Sequence, residues 1–497
     1  MKDITVGAID LGAESGRVAR VDFDGSTLSV SVIHRFGHEV QEREGRTWWD
    51  WPLLSQSVLE GVGVLGAQAS TASVGVDAWG LDYGLLDEAD ILISDPVSYR
   101  DPQRLLAFQK TVKRFGADFL YENSGTQVNP INGVFGFVAD CELRPEVMKR
   151  AATFLMIPDL FHHLLSGVKV AEYTAATTSG FFDIRKQQWS GPITSKLEVP
   201  YGILPEIAQP GTHLGPLLEA HRTSPGLEAT QVILPPSHDT ASAVLTISNP
   251  HQGEMFLSTG TWSLVGTVLP EPIVNAKSLQ FNLTNEGGVG KTIRFLRNVM
   301  GLWIVQESRR QWAREGKYFD YETLTKLADE ATPLRSIIDP DDTMFLAPGD
   351  MPARIREYCR STRQAVPESV GEVVRSIIDS LALAYRQTAV DLEVATGTRI
   401  ETVRVVGGGI QNGLLQQATA DATGVPVRCG AVEATALGNA VGQLIALGAL
   451  SGAQEGWEVL ERSFPEQVFL PTATEAYDDA FELFQKLQQS SRDSGGS

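Results

Sequence analysis

Two passages of this 497-residue chain, about half its length apart, share one arrangement: an apolar strand, a small polar turn with glycine and a hydroxyl, and a second apolar strand. The first runs from residues 6–9 through Asp10-Leu11-Gly12-Ala13-Glu14-Ser15-Gly16-Arg17 into residues 18–23. The second runs from residues 255–257 through Ser258-Thr259-Gly260-Thr261-Trp262-Ser263 into residues 264–268. Two such hairpins predict two related halves with a boundary near 244–253, where Ser-Asn-Pro-His-Gln-Gly is turn-forming. The pattern alone is equally compatible with two unrelated hairpins.

Around these turns the hydrophobic period switches between two and 3.6. Residues 18–23 and 28–33 alternate across the turn signal Asp24-Gly25, and residues 72–76 read as a short buried strand ending at Asp77. Residues 53–65 have helical spacing. Val370, Val373, Val374, Ile377, Ile378, Leu381 and Tyr385 mark one face of a long helix between Pro367 and Gly397. Residues 403–406 form a strand running into Gly407-Gly408-Gly409, followed by helices near 413–422 and 433–447. Hairpins followed by alternating strands and helices predict an α/β fold with mixed sheets. Residues 490–497, polar and rich in Gly and Ser, are expected to form a disordered tail.

Charge and composition exclude several partners. With 61 Asp+Glu against 41 Lys+Arg the formal net charge is −20, which repels a phosphate backbone and argues against nucleic acid. No run approaches the length of apolar residues that a membrane span needs. The first residues reach Asp10 before any signal-type run forms, so a cytoplasmic location is expected. Cys141, Cys359 and Cys429 are odd in number, far apart and in no metal-ligand spacing; reduced thiols are expected rather than disulfides or zinc ligands.

Four short segments carry chemistry. Turns of small residues let backbone N–H groups and hydroxyls approach an anion, so both hairpin turns suit phosphate, although such turns also join strands everywhere. Asp10, ending a buried strand, can hold Mg²⁺ beside phosphates, and Arg17 can neutralise them. In Ser237-His238-Asp239-Thr240, Asp239 is either a helix N-cap or an ionised carboxylate able to take a proton from a sugar hydroxyl. His238 reads as a substrate contact. Gly407-Gly408-Gly409 admits a flat ligand such as a nucleoside, or is simply a strand-to-helix turn. A fifth segment, Asn285-Glu-Gly-Gly-Val-Gly-Lys291-Thr292, nearly matches a P-loop but has Asn285 where that loop needs glycine. It is expected to be a glycine-rich hairpin.

Taken in order, these segments resemble the FGGY carbohydrate kinases. The blocks are Asp10-Leu-Gly-Ala-Glu-Ser-Gly-Arg17, Val76-Asp77-Ala-Trp79-Gly80-Leu-Asp82, Ser237-His-Asp-Thr-Ala-Ser242, Thr284-Asn-Glu-Gly-Gly288, Asn298-Val-Met-Gly-Leu-Trp303 and Val406-Gly-Gly-Gly-Ile-Gln-Asn412. The resemblance implies two actin-like (ribonuclease H-like) domains with the active site in the cleft between them. Residues 1–243 would bind the sugar and carry the catalytic Asp and the first phosphate turn. Residues 244–489 would bind the nucleotide. It further implies an ATP-dependent ketose kinase, matching best the members that phosphorylate L-rhamnulose at O1. Another ketose, such as L-fuculose or xylulose, is the alternative.

Carried over residue by residue, the resemblance makes Asp239 the proton acceptor, and Gly80, His238, Asp239, Thr240 and Asn298 the sugar contacts. Ala13, Glu14, Ser15, Gly16, Arg17, Thr261, Gln306 and Gly408 would hold ATP, with Asp10 linked to Mg²⁺. The implied partners are the sugar and ATP, in a monomer or homodimer. The well-studied members of this type carry further cysteines, one pair in the helix after the glycine turn. Here that helix has Thr419 and Thr423. A sensor that binds nucleotide and sugar without phosphate transfer is the reading from another class; the presence of both Asp10 and Asp239 argues against it.

Overall fold

The computed structural model describes residues 3–247 and 253–495, so most of the turn-forming segment at 248–253 lies outside the described residues. The chain forms two compact units. The first comprises Met1–Asn249, Val268–Phe295 and Glu433–Pro465; the second comprises Pro250–Thr267, Leu296–Val432 and Glu466–Ser497. Where a single boundary is expected near residue 243, the units are interleaved, because late segments return to complete the first.

In the first unit the sheet order is His213–Pro216, Gln231–Ile233, Thr71–Ala78, Ile4–Leu11, Ser15–Phe23, Leu28–Gly37. The three neighbours at the Leu28–Gly37 end are antiparallel, the two central pairings are parallel, and the His213–Pro216 edge is antiparallel again. A parallel strand pair needs both faces covered, and Ile4–Leu11 is buried along nearly all its length. On one face lies the helix Trp51–Gln68, which Asp50 caps by accepting the Leu53 N–H. Its Leu54, Val58, Val62 and Leu65 recur at helical spacing and join Ile9, Leu11, Val74 and Val76 in one core, each burial stabilising by about 1.5–3 kcal/mol. The other face takes the helices Asp239–Leu245 and Ala434–Ala446.

The small residues of Ala434–Ala446 allow that approach. A Cβ at Gly438 would stand 1.8 Å from the Ser242 carbonyl oxygen. Beneath it, Gln443 donates to the Gly7 carbonyl at 3.0 Å and accepts from Ser73 at 2.7 Å. The helix is thus tied to two strands by polar contacts as well as packing.

The second unit repeats the pattern. Trp262–Leu269 pairs antiparallel with Glu254–Thr259, which pairs in parallel with Thr402–Val406; this strand pairs in parallel with Val427–Cys429, and Gln467–Phe469 closes the edge antiparallel. The long helix is Val370–Thr396, with a capping box between Ser369 and Glu372 and Gly397 left-handed past its end. The helix Thr474–Gly495 runs into the segment expected to be a tail, whose residues 496–497 lie outside the described residues. Tyr477, Phe481, Phe484 and Leu487 recur at helical spacing and are buried, which fixes the helix despite its polar end. Cys141, Cys359 and Cys429 are free thiols. Thr419 and Thr423 each donate to the carbonyl four residues back, at 2.7 Å. No helix among the described residues is long and apolar enough to cross a membrane.

Because the Gly438 contact is with backbone, Gly438→Ala cannot be relieved by a rotamer change. We expect a loss of about 1–3 kcal/mol, read as a lower thermal midpoint; an unchanged midpoint would mean that the two helices are further apart than described.

Candidate active site

Three strand ends converge at one edge of the first unit's sheet. Asp10 lies opposite Asp77 in the parallel ladder and opposite Arg17 in the antiparallel one. Directly opposed residues share a face, so Arg17, Asp10 and Asp77 form one row. The third end arrives where the Ala78 N–H donates to the Ser237 carbonyl at 2.9 Å and Ala78 bridges His238. The helix Asp239–Leu245 then begins, its first turn closed by the Ala241 and Ser242 N–H groups on the His238 carbonyl. Asp239 is the first helical residue and not the N-cap; that position is His238, whose side chain makes no capping bond.

Charge organises this edge. Arg17 grips Asp10 through Nε at 2.8 Å and a terminal nitrogen at 2.6 Å, and reaches Glu433 at 3.3 Å. Asp77 accepts from Asn439 at 2.7 Å on Oδ2, while its buried Oδ1 has no hydrogen-bond partner. Burial, and then the Asp10 charge, hold the Asp77 carboxyl well above the usual range. Asp239 is recessed with 32% of its side chain accessible. Desolvation by the surrounding protein, and then the Asp10 charge, push it up to about 7 against the pull of two Thr240 hydrogen bonds. Both Thr240 donors and the His238 Nε2, at 3.3 Å, meet Asp239 on Oδ1.

The segment carrying Asp239 is pinned from behind. Glu172 is buried and accepts from Thr174 Oγ1 at 2.6 Å, from the Ala175 N–H at 3.0 Å and from the Ser237 N–H at 3.2 Å. Thr174 Oγ1 in turn accepts the His238 N–H at 3.0 Å. Burial lifts Glu172 to about 7 in spite of those donors. His238 contacts Arg294 through Nδ1 at 3.0 Å, and Arg294 pairs with Glu286 at 3.1 Å. Glu172, Glu286 and Arg294 have no role assigned by the sequence reading. An arginine between Ile293 and Phe295, in the more apolar half of the Ile293–Met300 strand, was the available signal, since a buried guanidinium demands partners.

The remaining expected residues divide between the units. In the first, residues 12–16 form a tight turn, with the Gly12 N–H on the Ser15 carbonyl at 3.0 Å and the His38 N–H on the Glu14 carbonyl at 3.3 Å. Gly16 is required there, because a Cβ would stand 2.3 Å from the Phe36 ring. Ala13 and Ser15 lie within this turn. Gly80 follows Ala78 closely, packed so that a Cβ would meet Thr178 Oγ1 at 2.8 Å.

In the second unit, the Thr259–Thr261 turn receives the Leu302 N–H on Gly260 at 3.0 Å and the Trp303 N–H on Thr261 at 3.2 Å. These bonds set the start of the helix Trp303–Arg314, which carries Gln306. Gly407 (φ 87°) ends the strand Thr402–Val406 so close to Thr259 that a Cβ would lie 2.7 Å from its carbonyl oxygen. Gly409 is equally constrained by Thr259 Oγ1, whereas a Cβ at Gly408 would meet nothing within 4 Å. Thr261 thus lies in this turn, Gln306 on the helix that follows it, and Gly408 between the two glycines packed against Thr259. Asn298 lies on Ile293–Met300, four residues after Arg294 and on the same strand face.

Oxygen donors beside surplus negative charge suit a hard cation such as Mg²⁺, and the unpartnered Asp77 Oδ1 next to Asp10 fits that chemistry. No group of three or more His, Cys, Asp or Glu among the described residues forms a metal-binding cluster, so an ion there would draw ligands from water and phosphate. The near-P-loop segment is a hairpin: Thr284–Gly287 is a strand, and the Gly288 N–H donates to the Thr292 carbonyl at 2.8 Å before Ile293–Met300.

Comparison with known proteins adds to this geometry. The model of the FGGY family of carbohydrate kinases, N-terminal domain, matches residues 5–246, and its C-terminal domain matches residues 255–447. The chain is 36% identical to a rhamnulokinase of Pectobacterium atrosepticum, covering 97% of this chain and 96% of the relative. It is 36% identical to a rhamnulokinase of Bacteroides thetaiotaomicron, covering 95% and 97%. Among solved structures, a ligand-bound xylulose kinase from Lactobacillus acidophilus superposes with a TM-score of 0.82 at 17% identity, covering 98% of both chains. Plasmodium falciparum glycerol kinase with ADP gives 0.78 at 16% identity, again covering 98% of both. These structures share the two-domain α/β fold with mixed sheets flanked by helices.

Two outcomes follow from the geometry. The folded Asp239 pKa is raised to about 7, above an ordinary unfolded value of about 4, so its charge weakens the fold progressively from about pH 4 to 7 and by a constant amount above. Asp239→Asn is therefore expected to raise the thermal midpoint most above pH 7, by roughly 1–2 kcal/mol after allowance for solvent screening, with the gain shrinking toward pH 4. Midpoints that differ equally at every pH would contradict this. Lys291→Ala, in the hairpin, is expected to change turnover less than about threefold; loss of activity would restore the P-loop reading.

Proposed function

The chain belongs to the FGGY family of carbohydrate kinases and is a sugar phosphotransferase, and we propose that it transfers the γ-phosphoryl group of ATP to O1 of L-rhamnulose, with Asp239 as the base. The sugar assignment is supported by relatives named rhamnulokinase at 33–36% identity over more than nine-tenths of this chain. The mechanistic reading is carried by one observation: the Asp239 carboxylate is lifted to about 7 and takes its named contacts on Oδ1. A base matched to neutral pH is ionised often enough to act and basic enough to take a hydroxyl proton.

In this mechanism the O1 proton passes to Asp239 as O1 forms a bond to the γ-phosphorus. The bond from that phosphorus to the β–γ bridging oxygen breaks, releasing ADP. Gly80, His238 and Thr240 hold the sugar so that O1 faces Asp239, and Asn298 contributes a further sugar contact. The turn of Ala13, Glu14, Ser15 and Gly16 offers backbone N–H groups to phosphate, and Arg17 adds positive charge. Thr261, Gln306 and Gly408 hold the nucleotide, with the open space at Gly408 admitting a flat base. Phosphoryl transfer demands little covalent chemistry of the protein, so positioning and charge compensation account for most of the rate. Mg²⁺ held near Asp10 and Asp77 would supply charge neutralisation of the phosphates. A cytoplasmic location, with ATP as co-substrate and unpaired cysteines, accords with this reading.

ADP release with Mg-ATP is to be measured against L-rhamnulose, L-fuculose, L-xylulose, D-xylulose and D-ribulose. The expected result is a strong preference for L-rhamnulose; preference for another ketose would overturn the sugar assignment and keep the rest. Asp239→Asn should lower kcat by about 10²-fold or more while sugar affinity, read by calorimetry, changes only a fewfold. In the unmodified enzyme kcat should rise with pH through about 7, because Asp239 is protonated below that value and cannot accept a proton; a flat profile would remove it from the role.

A further inference from the structure

His238 is buried against three charged groups. Arg294 approaches Nδ1 at 3.0 Å, Glu286 lies 3.5 Å from the same nitrogen, and Asp239 Oδ1 lies 3.3 Å from Nε2. A guanidinium carries only donors, so the 3.0 Å contact requires the lone pair of Nδ1. Burial and the Arg294 charge together keep the ring neutral, well below its ordinary pKa. A neutral ring accepting on Nδ1 carries its proton on Nε2, facing Asp239.

Arg294 is itself fixed. Its Nε donates to the Gly287 carbonyl at 2.9 Å and its other terminal nitrogen lies 3.1 Å from Glu286. The Gly287 N–H donates to Thr177 Oγ1 at 2.9 Å, and a Cβ at Gly287 would stand 2.4 Å from the Tyr173 ring. The strand bearing Glu286 is therefore packed tightly against the Tyr173–Ala176 helix, whose Thr174 accepts the His238 N–H.

We propose that Arg294, oriented by Glu286, is a positioning residue that holds His238 as the Nε2-protonated tautomer, so that its N–H engages Asp239 Oδ1 and leaves Oδ2 to take the sugar proton. The inference rests on the reading of Asp239 as the base. With Nε2–H and both Thr240 donors on Oδ1, proton affinity is directed to the other oxygen. The opposite tautomer would set the Nε2 lone pair against the carboxylate, repelling it and releasing its orientation.

The test uses the full-length protein with ¹⁵N-labelled histidine, the His238 signals being assigned by their loss in His238→Gln. We expect the ring nitrogens of the unmodified enzyme to report a neutral Nε2–H tautomer, and Arg294→Met, which leaves the Glu286 carboxylate facing Nδ1, to shift the population toward Nδ1–H. In turnover, Arg294→Met should lower kcat about 10- to 100-fold with the KM for ATP within about twofold. In the His238→Gln background, Arg294→Met should cost less than about twofold more, because its target is already absent. An Nδ1–H or cationic His238 in the unmodified enzyme overturns the proposal, as do losses that multiply in the double variant. Should Arg294→Met fail to fold, the tautomer of His238 in the unmodified enzyme decides the matter by the same signals. If Asp239→Asn stays active while the tautomer is as expected, the reading of Asp239 fails and the tautomer assignment stands.

Discussion

Asp10, Asp77 and Asp239 are held near one another at a sheet edge against their mutual repulsion, and much of the first unit is arranged around that cost. Like charges in a recessed, poorly solvated setting raise one another's proton affinity, which is the state in which Asp77 and Asp239 are found. Arg17 offsets the charge of Asp10 from the neighbouring strand, Asn439 binds Asp77 from below, and Thr240 and His238 supply donors to Asp239. Each compensation is partial. A fully neutralised cluster would be more stable but would have no base near neutral pH and no attraction for a cation.

The sheet topology explains why such a cluster recurs at a strand edge. A hairpin followed by parallel strands brings chain turns to one end of the sheet, where backbone N–H groups are unpaired and side chains from adjacent strands stand abreast. Both units have this order, yet they use it differently. The first turn is surrounded by carboxylates and an arginine; the second, at Thr259–Thr261, is enclosed by glycines and the start of the helix Trp303–Arg314. One presents charge, the other open space at Gly408.

The parts of this arrangement that were legible in the sequence are those set by local chemistry. Strand alternation, the glycine turns, the Pro367 and Gly397 that bound the long helix Val370–Thr396 and an Asp at the head of a helix all depend on residues within a few positions of one another. What escaped depends on distant partners. Arg294 meets His238 across 56 positions and Asn439 meets Asp77 across 362, distances over which no periodicity reports. Glu286 was further obscured by its glycine-rich neighbours, which draw attention to a phosphate loop that is absent. The C-terminal helix was missed for a different reason: its Ser- and Gly-rich end outweighed the Tyr477, Phe481, Phe484 and Leu487 stripe just before it.

The return of Glu433–Pro465 to the first unit has a consequence for biosynthesis. A ribosome that has released residues 1–249 has delivered every acidic group of the cluster but neither Asn439 nor Gln443, which satisfy Asp77 and the strand carbonyl of Gly7. The part of that sheet face beside Asp239–Leu245 which Ala434–Ala446 covers stays uncovered until nearly nine-tenths of the chain is made. The nascent first half thus lacks the Asn439 donor to Asp77 and the Gln443 donor to Gly7 until a helix encoded at the far end of the message arrives. Because the units are interleaved in sequence, a cut near residue 249 would leave neither fragment with a whole unit.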